Sequence, residues 1–156
     1  MVPHRDPLPF GRKLNFMLVD DDDICLFIHR RVLELSPYCN SAHSAGNGKT
    51  ALEILERAAK GDVPVPDIIF LDLDMPIMNG IAFLEAFKSL ECANKQHMAI
   101  VLLTSSVSEK DREYAMSLGV FKFLSKPFTH EALDSVLDSL YKSNPVFPVV
   151  MCASRQ

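Results

Sequence analysis

The sequence has no tryptophan, only 6 glycines in 156 residues, no internal repeat and no low-complexity block. That excludes a repeat array and a compositionally biased linker. No apolar run approaches the roughly 20 residues that span a bilayer as a helix. The opening stretch MVPHRDPLPFGRK carries three prolines and no apolar core, so it does not read as a signal peptide. Positive charge is not in excess: 16 Lys and Arg face 20 Asp and Glu, a formal net charge of −4. The broad basic field that nucleic acid or an anionic membrane calls for is therefore missing. Cys25, Cys39, Cys92 and Cys152 form no CxxC pair. Two bridges are open by arithmetic, but free thiols in a cytoplasmic chain are the expectation. The five histidines show no metal-ligand spacing. His29 falls within a helical stretch, where a surface or packing role is the default.

What is present is an alternation. A hydrophobic fraction of 48% over this length favours one domain with a real core. Phe16 to Val19, Ile68 to Leu71 and Ala99 to Leu103 are near-continuous apolar runs, as in strands buried on both faces. Tyr38 to His43 and Val120 to Leu124 are weaker and more mixed, which suits the edges of a sheet. Helical stripes lie between: Ile24, Phe27, Ile28 and Val32; Ala51, Leu52, Leu55 and Ala58; Phe83, Leu84, Phe87 and Leu90; Leu133, Val136, Leu137 and Leu140. Tyr114, Ala115 and Leu118 make a poorer face, preceded by Ser108 and Asp111 in the manner of a capping box. Each stripe is expected to pack on the core. Strands alternating with helices predict an α/β fold with right-handed crossovers, a parallel sheet between two helical layers.

Ligands of such sheets bind beyond the carboxyl ends of the strands. Asp20 and Asp21 follow the first run. Asp72 ends the third, Thr104 and Ser105 the fourth, Ser125, Lys126 and Pro127 the fifth. An oxygen-only carboxylate cluster suits a hard cation such as Mg²⁺, and a lysine beside it suits an anion. Singly, each residue has a bland reading: an Asp caps a helix, a Thr bonds backbone, a Lys is solvated. Together at one edge they favour a site.

The stretch PDIIFLDLDMPIMNG, with DxxxPxxxG from Asp72 through Pro76 to Gly80, resembles the phosphoacceptor segment of two-component response regulator receiver domains. VDDDD matches that family's acidic pair, LLTSS its switch Thr/Ser, and FLSKPF its Lys-Pro. The ordered set covers about residues 14–142. The resemblance implies a flavodoxin-like three-layer (βα)5 sandwich with strand order 2-1-3-4-5. It implies Asp72 as the nucleophile toward a phosphohistidine, supplied by a sensor histidine kinase or histidine phosphotransfer protein. Mg²⁺ would be held by Asp21, Asp72 and the backbone carbonyl of Asp74, with Asp20 acting through water. Lys126 and Thr104 would contact the phosphoryl group, and Phe123 would be the aromatic switch. The Lys126–Pro127 peptide is expected cis. Asp74 is a departure at a position that varies in the family; the resemblance implies that its side chain lines the path of attacking water, where an acid would change the aspartyl phosphate lifetime. Such a module signals rather than turns over substrate, acting only on its own Asp72.

Several expectations complete the reading. Pro76 and Gly80 shape the turn after Asp72, with Gly80 permitting positive φ. Asp23 is expected to cap the first helix, and Asp22 to be a solvated turn residue without a role. GKT in AGNGKTAL lacks the earlier glycine of a P-loop, since His43 stands there. A turn through Gly46, Asn47 and Gly48 fits better. A haloacid-dehalogenase-like phosphohydrolase would place its DxD before its acidic pair, the reverse of this order. A non-phosphorylated pseudo-receiver scaffold would not need Asp20, Asp21, Asp72, Thr104 and Lys126 all together. Residues 1–13 and 143–156 read as tails, with no output domain, so a downstream protein would be met through the face spanning residues 108–141. The apolar tail NPVFPVVM either packs on its own domain or makes a homodimer through Val146, Phe147 and Val149.

Overall fold

A computed structural model describes residues 12–91 and 95–143. The tail residues Val146, Phe147 and Val149, and with them the homodimer contact, lie outside the described residues, as do Cys92 and Cys152. Five strands alternate with helices: β1 (Leu14–Val19), α1 (Asp23–Glu34), β2 (Cys39–Ala45), α2 (Gly48–Ala59), β3 (Ile68–Asp72), α3 (Gly80–Ser89), β4 (Ala99–Thr104), α4 (Glu109–Ser117), β5 (Lys122–Ser125) and α5 (His130–Ser143). A short 3₁₀ turn, Lys95–His97, leads into β4. The sheet is parallel, in the order β2-β1-β3-β4-β5. The two weak, mixed runs are its two edges, as their composition suggests.

The inner strands are apolar, apart from Asn15 near the start of β1 and Asp72 and Thr104 at the ends of β3 and β4, because both faces are covered. Alternate residues feed two cores. Phe16, Leu18, Ile68, Phe70, Val101 and Leu103 meet the stripe of α5 and Leu33 of α1. Met17, Val19, Ile69, Leu71, Ile100 and Leu102 meet α2, α3 and Ala115 of α4. Burying a Leu or Phe side chain contributes about 1.5–3 kcal/mol, so the two cores carry most of the stability.

Two stripes differ from expectation. Ile24, Phe27 and Ile28 of α1 are exposed, and the inward line is Leu26, His29 and Leu33. A histidine sits in the middle of that buried line, so the hydrophobic pattern alone put the helix about one residue out of phase. In α4, Tyr114 is exposed and Ala115 alone is fully buried. Ser108 caps α4 as its spacing suggests, accepting from the Asp111 N–H at 3.1 Å. Asn47 caps α2, accepting from Thr50 N–H at 2.9 Å.

At the amino ends of the strands, Asp67 is fully buried. Arg12 grips it with two nitrogens, at 2.6 and 3.1 Å, and the Asn15 N–H donates to it at 2.8 Å. The pair staples the entry to β1 onto the entry to β3. Removing Asp67 breaks a buried, charge-assisted contact to Arg12 and leaves the Asn15 N–H without that carboxylate. Asp67→Ala is therefore expected to lower the unfolding free energy by about 3 kcal/mol, read from urea unfolding; a loss within error of zero would mean that solvent replaces the pair.

Candidate functional site

Beyond the carboxyl ends of the strands, Asp20, Asp21 and Asp72 each offer a carboxylate oxygen within 4.8 Å of the others. Asp20 and Asp72 are buried and Asp21 is exposed. Lys126 Nζ lies 2.7 Å from Asp20 Oδ2 and 3.2 Å from Asp72 Oδ1. Its backbone N–H donates to Thr104 O at 3.1 Å, which aligns the turn after β5 with the end of β4. The Lys126–Pro127 peptide is cis. Thr104 Oγ1 is out of solvent and has no hydrogen-bond partner among the described residues. The bland reading of that threonine, a bond to backbone, is not what the structure contains.

The electrostatics are unbalanced. Unit charges 4 Å apart interact by about 4 kcal/mol at an effective dielectric near 20. Three carboxylates repel one another pairwise, while one ammonium attracts two of them at close range. Three negative charges and one positive leave −2, the charge that a divalent cation balances. The donors are all oxygen, with Asp20 Oδ2 held by Lys126 at 2.7 Å and Asp21 open to solvent. These residues fit Mg²⁺. Burial pushes the Asp72 carboxyl above the ordinary aspartate range, and the charge of Asp20 pushes it further. Lys126 and a backbone hydrogen bond from Asp74 oppose the rise without cancelling it. For Lys126, burial works against the charged form, but close contact with Asp20 and the charge of Asp72 outweigh it and hold the pKa above normal.

The four aspartates after β1 divide differently from expectation. Asp22, not Asp23, caps α1: its Oδ1 accepts from Ile24 N–H at 2.9 Å and Cys25 N–H at 3.2 Å. Those two bonds hold its carboxyl below the usual range. Asp23 is the first helical residue, where its charge suits the helix dipole. The helix starts early because the Asp22 N–H is already turned back onto Asp20 Oδ1, 3.0 Å away. Asp20 thus spends one oxygen on the turn and the other on Lys126.

The turn after Asp72 also corrects an expectation. Gly80 is not at positive φ; Ile77 is, at 68°, with Met78 N–H bonded to Pro76 O at 2.7 Å. Gly80 is required by closeness instead. A Cβ there would stand 2.5 Å from Asp72 O and 2.9 Å from Leu73 Cα. Gly48 has a similar reason, since its Cβ would meet Met78 O at 2.9 Å. The loop bearing Asp74 and Ile77, both exposed, is so pressed between β3 and α2.

The sequence assigned two neighbours of the site no role there. His29 is fully buried in α1 and its Nε2 accepts the Phe128 N–H at 3.2 Å. Arg112 of α4 covers the ring of Phe123, 4.4 Å from its centroid. A polar residue in the Leu26 to Leu33 line was the only trace of the first; the second left none.

A family model of the response regulator receiver domain matches residues 16–138. The chain belongs to that family: it is a receiver domain of two-component signalling. It is 36% identical over 118 residues to a protein-glutamate methylesterase/protein-glutamine glutaminase of Treponema pallidum, covering 74% of this chain and 27% of that protein. It is 30% identical to two-component response regulator 24 of Arabidopsis thaliana, covering 82% of this chain and 84% of that one. Among solved structures, a two-component response regulator from Cytophaga hutchinsonii superposes with a TM-score of 0.75 at 28% identity, over 84% of this chain and 99% of that one. The chain spans about a third of the length of the methylesterase relatives it matches. No helix among the described residues is long and apolar enough to cross a membrane.

The raised Asp72 pKa has a consequence for stability. The folded state holds that proton more tightly than the unfolded state, so this group's contribution falls as pH rises through the ordinary aspartate range to the raised value. At neutral pH the charge of Asp72 opposes folding. Asp72→Asn, measured in EDTA at pH 7, is expected to raise Tm by about 3 °C, with the gain vanishing in acid. An unchanged or lower Tm would show that Lys126 fully compensates the carboxylate.

Proposed function

We propose that Asp72 is the phosphoacceptor and that the cluster around it catalyses its own phosphorylation. The observation that carries this reading is Lys126 Nζ held between the buried Asp20 and Asp72 carboxylates. An Asp72 oxygen attacks phosphorus in line, the P–N bond to the donor imidazole breaks, and the imidazole leaves with its electron pair. Lys126 passes from the Asp72 carboxylate to a phosphoryl oxygen, and the unpartnered Thr104 hydroxyl donates to another. Asp20, Asp21, Asp72 and the Asp74 carbonyl would hold Mg²⁺, which supplies charge neutralisation between the carboxylates and the phosphoryl group. The module works in signalling and turns over no other substrate.

The donor is a sensor histidine kinase or histidine phosphotransfer protein. Its docking is favoured by exposed apolar side chains around the pocket: Ile24, Phe27 and Ile28 on α1, and Ile77 on the β3–α3 loop. Output runs through the 108–141 face, where Tyr114, Met116 and Tyr141 are exposed. Inward movement of Thr104 lets Phe123 turn, and Arg112 loses its ring contact as the face changes shape.

Single-turnover labelling tests the acceptor. A phosphohistidine donor with Mg²⁺ is expected to label Asp72, and Asp72→Asn or Asp21→Asn to abolish the label. Phe27→Glu should slow transfer from the donor protein and leave labelling by acetyl phosphate unchanged. Steady release of phosphate from small phosphate esters would favour a phosphohydrolase instead. For the output, Phe123→Ala should weaken phosphorylation-dependent partner binding at unchanged phosphorylation. Intact binding would remove Phe123 from the switch.

A further inference from the structure

Lys126 carries its charge on a long, flexible stem. Where its ammonium reaches depends on the backbone beneath. On one side that backbone is tied to β4, through Lys126 N–H and Thr104 O. On the other side, two residues along, the Phe128 N–H donates to His29 Nε2 across a sequence separation of 99. The His29 ring also lies flat on Phe128, with centroids 4.2 Å apart and planes 10° from parallel. Phe128 stacks in turn on Phe70 at 4.8 Å. Phe70 stands two residues before Asp72 on β3. One ring column thus joins α1, the turn that bears Lys126, and the strand that bears Asp72.

We propose that His29 is a positioning residue for phosphoryl transfer: its Nε2 fixes the Phe128 backbone and through it the reach of Lys126 to the phosphoryl group on Asp72. The proposal rests on the phosphoacceptor reading above.

Packing alone does not account for an imidazole here. His29 is 0% exposed, and its Nδ1 has no hydrogen-bond partner among the described residues. A leucine or methionine would fill the space without leaving a buried nitrogen unsatisfied. What an apolar residue cannot supply is the acceptor for Phe128 N–H. Burial holds the imidazole below its ordinary pKa, so the ring is neutral with the Nε2 lone pair free to accept.

The test uses the full chain as wild type, His29→Leu and His29→Gln. Leu keeps bulk without an acceptor, and Gln places an amide oxygen near the Nε2 position. Mg²⁺ affinity and beryllofluoride affinity at saturating Mg²⁺ are measured separately by calorimetry. His29→Leu is expected to bind Mg²⁺ as wild type does, but to bind beryllofluoride and label with acetyl phosphate about tenfold more weakly, the worth of one misplaced charged contact. His29→Gln should recover most of that loss. Equal beryllofluoride affinity in His29→Leu and wild type overturns the proposal, and so does a parallel fall in Mg²⁺ and beryllofluoride affinity, the mark of a merely structural role. A wild type blind to beryllofluoride sinks the phosphoacceptor reading itself, and this proposal with it. Should His29→Leu fail to fold, the ¹⁵N spectrum of the wild-type imidazole decides: an unprotonated Nε2 that accepts a bond supports the proposal, and a protonated Nε2 refutes it.

Discussion

Everything at the carboxyl edge of the sheet follows from one contact, the ammonium of Lys126 between two buried carboxylates. Without it, Asp20 and Asp72 would repel one another inside a partly desolvated pocket. With it, the pocket still keeps two net negative charges when exposed Asp21 is included. That residue of imbalance gives the site its chemistry. A pocket fully neutralised by its own side chains would attract a divalent cation less strongly. The fold supports the contact from several directions: β1 brings Asp20, β3 brings Asp72, β4 anchors the Lys126 backbone, and α1 reaches over to Phe128.

The opposite edge of the sheet is built to the reverse rule. There the Arg12 and Asp67 charges close on each other, and the Asn15 N–H adds a further bond to the same carboxylate. Charge is balanced at one end of the sheet and left in negative excess at the other. The two apolar cores between them keep the negative end from relaxing. Ile77, a β-branched residue at positive φ in the loop that follows Asp72, is a further local cost.

Much of this was legible before any coordinates. The apolar runs at Phe16, Ile68 and Ala99 named the inner strands because doubly covered strands leave no polar alternation. The residues after those runs named the pocket because parallel strands all point their carboxyl ends one way. Three things were not legible. Helix α1 turns Leu26, His29 and Leu33 inward and leaves Phe27 outside, and the polar residue in that line hid the inward face from a reading by hydropathy. Asp22 caps the helix in place of Asp23, a choice made by a turn onto Asp20 that residue types do not encode. Gly80 is forced by the nearness of the Asp72 carbonyl, a distance that belongs to the loop's tertiary path.

Strand β5 has a consequence of its own. It is four residues long and forms one open margin of the sheet, with α4 packing into one core and α5 into the other. Open margins invite pairing with foreign strands. This one is blunted by its shortness and by Lys122, whose ammonium is drawn to Ser139 of α5 at 3.0 Å. A protein that grips α4 and α5 together would straddle that margin and shield it. Recognition on this face and protection of the sheet from self-association would then be the same act, performed by the same contacts.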